Sequence, residues 1–210
     1  MNPNTLKIIY GLFSMRSEIK YIFYTFLVIF LVPILIVIVL TQAGFNIVSD
    51  ALATSDPQTQ EVEIHNPANG ETIDKIAEAR MWPANGVVTL EFGEPNLPYY
   101  LFHTGIDVAD PQGQVGSEVV AFMAGKVKKV KYDQTDYGYH IDIEHRSYLI
   151  SKYAHLDSIV VEEGQDLLMG DPIGTMGDTG TSSGPHLHFE IRIFYIPINP
   201  RIFLTGNPDL

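Results

Sequence analysis

The sequence predicts a mainly β domain, a small antiparallel sheet of the barrel or sandwich kind, preceded by a single transmembrane helix. Three observations lead there. Twenty consecutive residues near the N-terminus carry no charge. From Gly86 onward, short runs of Val, Ile, Tyr and Phe are broken by Gly, Asp and Pro. No long helical periodicity separates those runs, so nothing supplies the crossover helices that a parallel sheet requires.

Taken in order, residues 1–20 hold Lys7, Arg16 and Lys20 against a single acid, Glu18. Residues 21–40, YIFYTFLVIFLVPILIVIVL, follow. As a helix they span about 30 Å, the thickness of a bilayer core. Pro33 is tolerated in such a helix, with a kink. The basic residues lie before the apolar run, and Asp50 is the first charge after it. Positive-inside logic therefore places residues 1–20 in the cytoplasm and the rest of the chain outside. Ala51-Leu52-Ala53 has the look of a signal-peptide cleavage site. It sits well past the apolar run, which is itself longer than the usual signal core of about 7–15 residues, so an uncleaved anchor is expected.

Residues 41–80 read as an extracytoplasmic connector, polar and turn-rich in the middle, with a short helix expected over 72–80 from the spacing of Ile73, Ile76 and Ala77. A flexible chain of that length spans on the order of 35 Å. His65, among polar neighbours, is expected in solvent. Residues 81–205 form the body. Its expected strands are 87–92, 118–122, 126–132, 139–144, 148–153, 172–176 and 186–193. Two segments, GSEVVAFMAGKVKKV and EEGQDLLMGDPIGTMG, share a strand–turn–strand pattern found in biotinyl and lipoyl carrier domains. Neither has a lysine at the turn for modification, which counts against a carrier.

Composition narrows the chemistry. The net charge is −12 and lies outside the basic N-terminus, so the body offers no basic surface for nucleic acid. The run from Lys126 to Lys131 alternates with Val as one solvated strand face. Cysteine is absent, so a transition-metal site must use His, Asp or Glu.

Three stretches supply such residues. In GPHLHFEIRI, His186 and His188 share one strand face, while Leu187, Phe189 and Ile191 point into a core. Glu190 shares the histidines' parity; a solvent or structural role is expected for it ahead of orienting an imidazole. In HTGID, His103 and Asp107 lie about 13 Å apart on a straight strand and meet only if the backbone turns at Gly105. In YAHL, His155 ends a strand. His103, Asp107 and one histidine of the HxH pair make three ligands with a fourth position open, the pattern of catalytic zinc. The other HxH histidine and His155 remain for proton chemistry.

HTGID at 103–107, YAHL at 153–156 and GTSSGPHLHFEIR at 180–192, in this order, resemble the lysostaphin-type (LytM, M23) zinc endopeptidases. Trp82-Pro83, Phe92-Gly93, the EEGQDLLMGDPIG run and Asn199-Pro200 extend the likeness over roughly 81–202. The resemblance implies zinc on His103, Asp107 and His188, with His155 and His186 as the catalytic histidines. It also implies a small antiparallel fold with a metal groove, and peptides of bacterial peptidoglycan as substrate. The anchor then puts a peptidase outside the cytoplasmic membrane, among envelope or divisome proteins. The chain departs from the family pattern at Tyr139-His140, Ser147 and Ser151, none a ligand position. His140 and His145 are expected to be structural or exposed. Some family members have lost ligands and activate other wall hydrolases, so a non-hydrolytic regulator or scaffold is the rival function.

Overall fold

A computed structural model describes residues 17–96 and 102–208. The charges Lys7 and Arg16 of the expected cytoplasmic segment lie outside the described residues. The chain divides into two units, Met1–Ala43 and Gly44–Leu210.

In the first unit the apolar run is helical, part of α1 (Ser17–Leu52), with Pro33 inside it. Its side chains from Tyr21 onward are almost all exposed apolar groups. The stretch Ile19–Leu52 is long and apolar enough to cross a membrane.

The second unit begins with the last turns of α1. Phe45 packs its ring on Phe92 and Phe102, with centroids 5.8 and 5.6 Å away. Ser49 accepts the Asn199 N–H at 3.0 Å. Residues 41–52 of the expected connector are thus the end of α1, and the short helix expected further along is not formed. After α1 come β1 (Ala53–Ser55), β2 (Val62–His65) and β3 (Thr72–Ile76), paired antiparallel in one small sheet. The helix expected over 72–80 fails because Ile76 pairs with Val62 and both are buried with Ile64 in the common core. Two-residue alternation of buried and open positions in VEIH outweighs the weak helical spacing downstream. His65 is half-buried, not free in solvent: its ring lies 3.0 Å from Thr54 Oγ1 and 3.3 Å from Thr72 Oγ1.

Among the described residues, the body is one antiparallel sheet of ten strands. They are β4 (Val87–Leu90), β5 (Ile106–Ala109), β6 (Glu118–Val120), β7 (Gly125–Lys131), β8 (Tyr139–Arg146), β9 (Leu149–Ile159), β10 (Asp166–Leu167), β11 (Pro172–Met176), β12 (Leu187–Ile193) and β13 (Ile196–Ile198). The main order is β10-β7-β8-β9-β12-β5-β4; β11 joins β6 and β9, and β13 joins β12. Of these, β5, β10 and β13 were not among the expected strands. The two look-alike segments do not close as hairpins: β6 of the first pairs with β11 of the second, and β7 with β10. Their turns lock through Gly170 N–H to Ala121 O and Ala121 N–H to Asp171 O, both 2.9 Å. The core beneath centres on Phe122, whose ring meets Phe189 at 5.4 Å and Phe203 at 6.3 Å. His140 and His145 are both buried and structural, not exposed. His145 donates from Nδ1 to Ala124 O at 2.8 Å, and Ser151 Oγ lies 2.8 Å from its Nε2.

Candidate metal centre and histidine pair

Two adjacent central strands carry the site. In the antiparallel register of β12 and β5, His188 stands opposite Asp107. Directly opposite residues of neighbouring strands bring their side chains close, so sheet pairing alone delivers one carboxylate to one imidazole. His103 arrives by the bend the sequence required. The chain turns at Thr104-Gly105 before entering β5. A Cβ on Gly105 would collide with the carbonyl of Phe189, so only glycine lets this segment press against β12.

The three groups converge. His103 Nε2 is 2.9 Å from Asp107 Oδ1 and 2.8 Å from His188 Nδ1, and His188 Nδ1 is 2.8 Å from the same Oδ1. All three residues are buried, and their ligand-type atoms lie within 4.8 Å of one another. Each imidazole spends its other nitrogen on an oxygen. His103 Nδ1 faces Glu91 O at 3.1 Å, and His188 Nε2 faces Glu190 Oε1 at 3.1 Å. With the ring protons on those outer nitrogens, each neutral imidazole can turn its convergent nitrogen to an ion as a lone-pair donor, and without an ion the same nitrogens can instead donate to Asp107. Burial by itself would raise the Asp107 carboxyl; hydrogen bonds from His103 and His188 overcome it and hold the group well below the usual carboxylate range. Burial would lower His188, but its bonds to Asp107 and Glu190 push it up to about 9. Two nitrogens and one carboxylate oxygen, with a groove on the open side, are a donor set that suits zinc.

His155 and His186 stand beside this cluster, their ring centroids 4.8 Å apart. His155 adopts φ 61° inside β9, the left-handed region that residues other than glycine seldom visit. The register with β8 slips between Tyr139–Leu156 and Ile141–Tyr153, so His155 is the extra residue of a bulge. The bulge turns its ring into the groove, and its N–H bonds Tyr137 O at 2.9 Å. His155 Nδ1 donates to Thr179 O at 2.7 Å, and His186 Nδ1 to Gly184 O at 2.7 Å. Both rings thus keep Nε2 free to accept or pass a proton. His186 Nε2 lies 3.6 Å from Asp107 Oδ2. Burial, then the charges of His186 and His188, pull His155 down to about 4, so it is neutral at pH 7. The loop supplying Thr179 is held by backbone contact: a Cβ on Gly180 would strike Gly138 N and Asp136 O.

All five sequence-derived residues therefore line one groove of about 470 Å³, together with Thr104, Tyr137 and Ser182. Sequence reasoning undervalued Glu190, which is fully buried rather than solvated. Its parity with the two histidines was the available signal. It missed Thr104 and the carbonyls of Glu91, Thr179 and Gly184, for which a single sequence carries no mark.

Known proteins share this arrangement of chain. The family model described as Peptidase family M23 matches residues 101–200. The chain is 39% identical over 123 residues to the murein hydrolase activator NlpD of Salmonella typhimurium, covering 59% of this chain and 30% of that protein. It is 39% identical over 116 residues to the DD-carboxypeptidase/endopeptidase Mpg of Neisseria meningitidis serogroup B, covering 55% of this chain and 26% of that one. The chain thus spans less than a third of the length of these curated relatives. Among solved structures, the catalytic domain of the prophage-encoded M23 protein EnpA from Enterococcus faecalis, a point mutant, superposes with a TM-score of 0.52 at 30% identity, over 60% of this chain and 96% of that one.

Proposed function

This chain belongs to peptidase family M23, and we propose that it is a membrane-anchored zinc endopeptidase acting on peptide cross-links or stems of bacterial peptidoglycan. The observation that carries the reading is the pairing of a compact His103–Asp107–His188 donor set with two further histidines in the same groove. His103, Asp107 and His188 would hold the zinc. When bound, zinc lowers the pKa of water and polarises a carbonyl. The chain contributes the rest. His155 is neutral at pH 7 and bonded through Nδ1, so its Nε2 takes a proton from water. His155 then returns that proton to the leaving amine, while His186, held the same way at Gly184 O, lines the groove on the side where the oxyanion develops. The bilayer anchor is the apolar part of α1, with residues 1–20 cytoplasmic and the groove extracytoplasmic. Leu52 and Ala53 of the cleavage-like stretch are buried in the body, which supports an uncleaved anchor.

A second reading has its own observation: the relative NlpD is named as an activator of murein hydrolases, so a regulator without hydrolysis, partnered with envelope or divisome proteins, is the alternative. Retention of the whole donor set and both histidines supports the enzyme.

The test uses the full chain in detergent with purified peptidoglycan. One zinc per chain with release of peptide fragments is expected. His155→Ala should keep zinc and lose about 10²–10⁴ in kcat. Zinc without fragments would transfer the function to the regulator. Loss of zinc in His155→Ala would reverse the assigned roles.

A further inference from the structure

One buried carboxylate touches nearly everything that shapes the metal centre. Glu190 is fully buried in the middle of β12. A carboxylate so placed survives only when its oxygens are fully engaged, and these are. Oε1 accepts from Thr104 Oγ1 at 2.6 Å, from the Tyr137 hydroxyl at 2.8 Å and from His188 Nε2 at 3.1 Å. Oε2 accepts from Arg192 Nε at 2.6 Å and is ion-paired with Arg192 Nη2, also 2.6 Å away. Arg192 Nη2 also donates to the Tyr137 hydroxyl at 3.1 Å.

The donors come from different parts of the site. Thr104 follows His103 in the ligand-bearing bend. Tyr137 belongs to the loop whose carbonyl takes the His155 N–H. His188 is itself in the donor set. Arg192 neutralises the carboxylate from the same strand face. An ion pair serving the fold alone would need only Arg192; the three bonds at Oε1 all run toward the groove.

We propose that Glu190 is the positioning residue of the metal centre. Resting on the zinc reading above, it fixes the His188 ring so that Nδ1 meets the ion, and it keeps the His103 segment in register through Thr104. It touches neither ion nor substrate. Its effect is on which nitrogen His188 presents and on how closely the ligands stand before zinc arrives.

The experiment compares full-length protein, Glu190→Gln and Thr104→Val in detergent, all prepared zinc-free. Zinc affinity is measured by competition with a chromogenic chelator, and the fold by circular dichroism. Imidazole ¹⁵N spectra of the zinc-loaded protein report the His188 tautomer. Glu190→Gln should weaken zinc about 10–100-fold while remaining folded, with a smaller loss in Thr104→Val. His188 in the parent should carry its proton on Nε2. Folded Glu190→Gln that binds zinc within threefold of the parent overturns the proposal, as does a proton on Nδ1. If Glu190→Gln does not fold, Thr104→Val decides: folded and unchanged in affinity, it overturns the proposal too. A parent chain that binds no zinc sinks the metal reading itself, an outcome distinct from the others.

Discussion

The two faces of β12 run side by side for the length of the strand and have opposite purposes. Leu187, Phe189, Ile191 and Ile193 are fully buried against the apolar core. His188 and Glu190 are nearly as buried, yet every polar atom they bring has a partner across the sheet or from a loop. Burial does not distinguish the faces; the kind of neighbour does. The apolar face gains from area removed from water, and any residue of suitable volume shares in that gain. The polar face is stable only as a complete set, because each missing partner leaves a desolvated group behind. The first face holds the apolar core and the second lines the polar cluster of the groove, although the two are separated by one residue.

Substitutions can test that separation. Phe189→Ala should have the largest effect on the fold, about 3–5 kcal/mol in denaturant unfolding, because its ring packs on Phe122 and Tyr153. The fraction still folded should bind zinc as the parent does. If affinity falls together with stability, the faces are coupled and the comparison breaks.

Acid should come next, through a histidine on the core side. Burial pushes His145 down to about 4, against an ordinary value of 6.5. Above pH 6.5 neither folded nor unfolded chain protonates it, and the stability is fully present. As pH falls toward 4 the unfolded chain takes up a proton that the folded one refuses, and about 3 kcal/mol is lost. His155 shifts in the same direction for the same reason. Unfolding free energies of the zinc-free parent from pH 7 to 4 should therefore fall more steeply than those of His145→Gln. Parallel curves would mean that His145 is not held neutral.

The smallest effect on the fold should come from the polar face itself. His188→Ala takes a partner from both Asp107 and Glu190, which keep their other donors, and should cost about 1–3 kcal/mol of zinc-free stability, while zinc stoichiometry drops to zero. A loss comparable to that of Phe189→Ala would show that the metal residues also hold the sheet together.

Much of this was legible in the residues. The alternation in HLHFEIRI separates the two faces of the strand by parity alone, while HTGID showed only that a bend at Gly105 would be needed to bring His103 to Asp107. The connector was not legible. Its strands are short, and Ile73, Ile76 and Ala77 match a helix as well as a strand until Val62 and Ile64 provide a sheet to join. Element ends such as the long β9, running on to Ile159 through the bulge at His155, were equally hidden, since they depend on pairing with β8, β11 and β12 together.

By itself the sequence determined the apolar helix, the antiparallel β class and the absence of thiol chemistry, because residue type and spacing along the chain are enough to specify each; the five residues of the groove were legible through the resemblance of their three motifs to a known family. The tertiary structure alone decided which nitrogen each histidine presents and that Glu190 is buried. Glu91 O comes from a segment twelve residues before His103, and Thr179 O from a loop 24 residues after His155; Glu190 is enclosed by donors from three separate segments. A ring's tautomer and a carboxylate's surroundings are set by what the folded chain brings within about 3 Å, and a linear pattern does not encode that distance.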